Sequence, residues 1–170
     1  TFSKNCRAYG FNSDMLNNVG ISLVPMLREQ GGLQSLLEPT RDVVARLDHE
    51  AWTGSLALIL AEVGLLDEAT AMVEDVVIGA PERLGGDVVI SFARAMYSEV
   101  AATIGHRAAA EVLLDLMSDD GVASASVGPY SYYGAMDRYR GLLLAVLDRH
   151  DEAVAMQRRA ITYAERMYSR

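Results

Sequence analysis

Three histidines, one cysteine and one lysine are the side chains here with the most reactive chemistry to offer. His49, His106 and His150 could hold a zinc ion if folding gathered them, yet each stands more than forty residues from the next. Zinc sites show close ligand pairs such as Cys-x-x-Cys or His-x-x-x-His, and no such pair occurs, so the histidines read as turn or capping residues and no metal is expected. Cys6 would need a basic neighbour and an orienting group to act as a nucleophile, and at its near-terminal position it reads as a bystander. Lys4 is the only lysine. The glycines between Gly79 and Gly86 therefore lack the Gly-Lys-Ser/Thr ending of a phosphate-cradling loop. With no acid–base or nucleophile constellation, the expectation is a chain without catalytic residues or cofactor, not an enzyme.

Softer features carry two readings each. Tyr130, Tyr132 and Tyr133 stand at the expected start of the seventh helix, where ring packing over the third helix pair competes with an aromatic ligand patch. Arg158, Arg159, Arg166 and Arg170 make the last helix basic toward its C-terminus, where cations suit the helix dipole; a docking surface for an acidic partner is the sharper option. Met72, Met96, Met117 and Met156 fall at core spacing, with an adaptable Met-rich binding surface as the alternative.

The elements that must position these residues are helices. The 170 residues suffice for one domain, and with 51% hydrophobic and 22% charged residues the chain is folded rather than disordered. A net charge of −8 excludes duplex DNA and anionic membrane as direct partners, since phosphate binding needs a basic surface. Residues 130–170 depart from that balance, with seven arginines against five acids. The unbroken apolar runs Leu56–Ala61 and Leu142–Leu147 span six residues each, against about twenty for a membrane crossing. A single cysteine excludes an internal disulfide, and the cytoplasm is the expected compartment. The start at Thr1, without an initiator Met, suggests a piece of something longer.

Helical periodicity sets apolar stripes in pairs, giving hairpins over about 15–47, 49–77, 87–117 and 134–168, with Pro25 and Pro39 as kinks or first-turn residues. Val88-Val89-Ile90 is β-branched but runs into helical spacing, so it reads as helix, while 78–86 and 118–128 read as loops. An internal repeat ties the pairs together. Gly64-Leu65-Leu66-Asp67-Glu68-Ala69 recurs as Asp148-Arg149-His150-Asp151-Glu152-Ala153, with weaker copies from Gly105 and Gly31. These turns lie 33, 41 and 43 residues apart, against a tetratricopeptide period of about 34. Ala69, Ala110 and Ala153 sit one turn into each second helix, and Gly141 sits twelve residues before Ala153. Small residues belong there because paired helices approach most closely at such points.

These residues resemble the tetratricopeptide family. More narrowly, Gly134 to Ala145 with Asp148 to Ala153, and Leu56 to Gly64, resemble the C-terminal helical region of large actinobacterial signalling proteins. In those, a nucleotide cyclase or LuxR-type DNA-binding module accompanies a regulatory ATPase. Arg140 stands where that pattern has Leu, and Asp148 where it has Gly. The resemblance implies an all-α, right-handed superhelical stack of about four antiparallel hairpins, whose first helices line a concave groove. Carried across position by position, the pattern puts Arg28, Glu62, Phe92, Glu99 and Arg138 near that groove. The expected function is a non-catalytic interaction or regulatory scaffold that recognises a protein or peptide segment, including a linked cyclase, ATPase or DNA-binding module. The alternatives are an inducer-sensing domain with its ligand inside the superhelix and a homo-oligomerisation module such as a homodimer.

Overall fold

A computed structural model describes residues 23–169 apart from 48, 87, 119–120 and 128–130. Residues 23–29 form helix α1, with Pro25 inside it. A 3-10 turn, Leu33–Leu36, leads into α2, Leu37–Val44, where Pro39 falls in the first turn and needs no hydrogen-bond donor. Next come α3, Glu50–Glu62, and α4, Leu66–Val73, which continues through a π turn, Glu74–Ile78. A second 3-10 turn, Pro81–Leu84, precedes α5, Val88–Ile104, which is followed by α6, Arg107–Leu116. Strands β1, Ser124–Val127, and β2, Ser131–Ala135, then pair antiparallel before α7, Met136–Val146, and α8, His150–Tyr168. Mostly helical structure with little strand agrees with the all-α expectation.

The hairpin corrects two readings of the sequence. Residues 124–127 are strand rather than loop, and 134–135 close a strand rather than open the first helix of the last pair. Both strands are short, and Ser124–Val127 and Ser131–Ala135 lack the alternating apolar signal of a half-buried strand. Tertiary packing supplies what the sequence pattern lacks: Ala125 is fully buried, and β1 lies against α5. Tyr132 and Tyr133 consequently sit on β2 instead of a helix, while Tyr130 lies outside the described residues. The 78–86 loop holds the Pro81–Leu84 turn, which the buried Arg94 fastens to α5 by donating from Nε to the Leu84 carbonyl at 2.6 Å.

The four repeated turns share one geometry. Gly31, Gly64, Gly105 and Asp148 have φ of 68, 86, 68 and 62°, in the left-handed region. At each turn the next residue donates to a carbonyl five back: Gly32 to Leu27, Leu65 to Leu60, His106 to Ala101 and Arg149 to Leu144, at 2.7–2.9 Å. That is the Schellman closure of a helix end, which satisfies carbonyls the helix would otherwise orphan. Glycine enters this backbone without steric cost, and aspartate is among the few other residues that tolerate it. Asp148 is further held by Arg107, whose guanidinium meets its carboxylate at 2.7 Å and also donates to the Val146 carbonyl at the end of α7.

Helix α5 is the centre of the packing, buried at every position from Ser91 to Ala101. It lies between α3 and α7 and also touches α4, α6 and β1. Gly54 marks the close approach of α3: a Cβ there would stand 3.3 Å from the Met96 Cβ and 3.4 Å from Ala93. In the last pair a Cβ on Gly141 would meet Gln157 Nε2 at 2.6 Å and the Ala153 carbonyl at 3.2 Å. Arg140, the departure from leucine in that pair, donates through Nε and Nη2 to the Met117 carbonyl, closing the end of α6.

Candidate functional site

Arg28, Glu62, Glu99 and Arg138 come from four different helices, α1, α3, α5 and α7, and the structure brings them into one chain of ion pairs. Arg28 bridges Glu62 and Glu99, its contact to Glu99 being 2.7 Å. Arg138 meets the other oxygen of Glu99 at 2.5 Å. The Glu99 side chain is only 7% exposed, because α3 and α7 pack on both sides of α5. A lone carboxylate at such a position costs several kcal/mol of desolvation, which is repaid only by close, well-directed partners. Two guanidiniums supply them. Burial alone would lower the pKa of Arg28 and Arg138, yet the hydrogen bonds and charge of Glu99 hold both above the ordinary value.

Beside this ladder lies a recess of about 200 Å³. Val24, Leu58 and Met96 give it an apolar lining, Arg28, Glu99 and Arg138 a charged one, and Tyr132 and Tyr133 of the hairpin form a wall. Tyr139 fixes that wall from α7, donating its hydroxyl to the Tyr133 carbonyl at 2.6 Å, and the Arg138 guanidinium carbon lies 5.0 Å from the Tyr139 ring centre. That distance is within the roughly 6 Å at which a cation is attracted to an aromatic face. Burial pushes the Tyr133 and Tyr139 hydroxyls well above their ordinary pKa, and Tyr97 up to about 12. All three hydroxyls are neutral at physiological pH.

Phe92 does not reach the groove. It is fully buried, and the Tyr133 ring covers it at a centroid distance of 4.4 Å. The hairpin is the reason, since it seals the face of α5 that a bare helix pair would leave open. The sequence reading offered Tyr132 and Tyr133 both as an aromatic patch and as rings packed over the third helix pair, but attached them to a helix start instead of to β2.

The histidines take capping positions. His49 accepts from the Ala51 amide and His106 from the Ala109 amide through Nδ1, both at 3.1 Å, and His106 Nε2 faces Glu74 at 2.7 Å. His150 opens α8. Among the described residues no group of three His, Cys, Asp or Glu side chains is placed to hold a metal ion. Nor is any described helix long and apolar enough to cross a membrane. Cys6, Lys4 and Arg170 lie outside the described residues. Comparison with known proteins finds no family model, no curated protein and no solved structure that matches this chain.

Proposed function

We propose that this chain is a non-catalytic scaffold of a cytosolic signalling or transcription-regulatory protein, and that the recess beside Glu99 receives a segment of a protein partner. In this reading the helix pairs form a right-handed tetratricopeptide-like stack, and α1, α3, α5 and α7 are its inner layer. The observation that carries it is the ladder: one charged residue from each of those four helices meets beside a recess with an apolar lining and an aromatic wall. Its size favours a peptide side chain over a free inducer. At about 200 Å³ it falls below the roughly 300–1,000 Å³ of sites for drug-sized ligands. Scaffold grooves bind extended segments through such scattered polar and aromatic contacts. A linked cyclase, ATPase or DNA-binding module is a suitable source of the segment, because a contact to Glu99 reaches α5 at the centre of the packing.

A displayed peptide library panned against the whole chain tests this. Enriched segments should lose about tenfold in affinity, equivalent to about 1.4 kcal/mol, on Tyr132→Ala or Arg138→Gln. Arg46→Gln, in the exposed turn after the second helix, should change nothing, and urea midpoints would confirm that each variant folds. Failure to enrich any segment, or segments indifferent to both recess variants, would overturn the proposal.

A further inference from the structure

On the side of the second helices the stack opens instead of closing. Helix α6 packs directly on the π turn that ends α4, but α8 stands across a groove of about 680 Å³ from α6. That volume lies within the usual range for small-molecule sites. Leu114, Val122, Leu144 and Met156 line the groove with apolar surface. One stripe of α8, running from Arg149 through Glu152, Met156 and Arg159 to Tyr163 at helical spacing, forms a wall.

Among the described residues the lining holds three arginines against two acids, on a chain of net charge −8. Asp137 is already shared, one oxygen at 3.0 Å from Arg140 and the other at 2.9 Å from Arg159. Arg159 meets no other acid among the described residues, and its side chain is 65% exposed, so most of its five donors face water. Arg149 is held by Glu152 at 2.6 Å, with both side chains about half exposed; exposed pairs of this kind are weak and readily exchanged.

We propose that this groove is a second binding site, for a small amphipathic anion. Its apolar body lies against Leu114, Leu144 and Met156, and its carboxylate takes donors from Arg159. The inference does not rest on the recess, since the two sites share no lining residue.

Octanoate is a suitable probe, titrated into the full chain and followed by amide chemical shifts, with octanol as the uncharged match. Octanoate should bind at millimolar concentration or below, and octanol about tenfold more weakly. Arg159→Gln should weaken octanoate about tenfold, whereas Glu152→Gln should tighten it by removing a like charge from the lining. Arg46→Gln should leave it unchanged, and urea midpoints would show that the exposed substitutions leave folding intact. No octanoate binding at millimolar concentration would overturn the site. Equal binding of octanol, or indifference to Arg159→Gln, would equally overturn it, as contact with apolar surface alone.

Discussion

At the recess, the Glu99 side chain is 7% exposed and takes arginines from two other helices. At the groove, the Arg159 side chain is 65% exposed and shares a single aspartate. Both regions lie between packed helices, yet one buries its charge among them and the other leaves it facing water. The difference follows from position. Helix α5 has neighbours on both sides, so a charge there must be matched from within. Helix α8 packs chiefly on α7, so its outer charges keep their hydration.

Raising the pH should destabilise the fold through the buried tyrosines around α5. Burial raises the Tyr97 hydroxyl from 10.0 to about 12 and pushes Tyr133 and Tyr139, at the recess, upward as well. A raised folded-state value means the neutral form is the one the fold prefers. The stability linked to it is complete below pH 10.0 and is lost as pH climbs through about 12. Tyr97 alone accounts for about 3 kcal/mol of that loss. Urea midpoints should fall across this window together with the rise of tyrosinate absorbance; stability that holds level through it would contradict the burial of these rings.

Glu99→Ala comes next, with an expected loss of about 2–3 kcal/mol. That is less than the 3–5 of a fully buried broken pair, because Arg28 and Arg138 both reach water. Arg159→Ala, the matching removal at the groove, should stay within about 0.5 kcal/mol. Equal costs in urea titrations would erase the contrast. Ala153→Leu should cost about 1–3 kcal/mol, since the Ala153 backbone lies against Gly141, whereas Ala155→Leu on the exposed face should be nearly neutral.

The turns give the smallest effects. Gly64→Ala adds a Cβ that meets nothing within 4 Å, so its cost of about 1 kcal/mol would be conformational alone. Asp148→Gly relaxes the same backbone but releases Arg107, and the two changes should cancel to within about 0.5 kcal/mol. A large loss there would mean that the Arg107 contact, rather than the left-handed backbone, holds the fourth turn.

Much of this arrangement was legible because turn chemistry repeats locally. The turn positions at Gly31, Gly64, Gly105 and Asp148 could be read from short-range pattern, and Ala153 and Gly141 from their spacing to one of them. Arg28, Glu62, Glu99 and Arg138 were singled out by carrying the repeat pattern across, and the structure joins them in one chain of ion pairs. The hairpin escaped because Ser124–Val127 and Ser131–Ala135 are held by contacts with α5 and α7 that no local period records. Phe92 was misplaced for the same reason, its exposed face being covered by Tyr133. The groove beside α8 escaped too, since a gap between helices distant in sequence leaves no pattern in either.

The most direct test of the central claim is to map, by amide chemical shifts, where a segment selected on the whole chain binds. The account predicts shifts centred on Arg28, Leu58, Met96, Glu99 and Tyr132, drawn from α1, α3, α5 and the hairpin wall at once. Shifts centred instead on the outer faces of α2 or α4, or on Arg149 to Tyr163, with the recess unchanged, would contradict it.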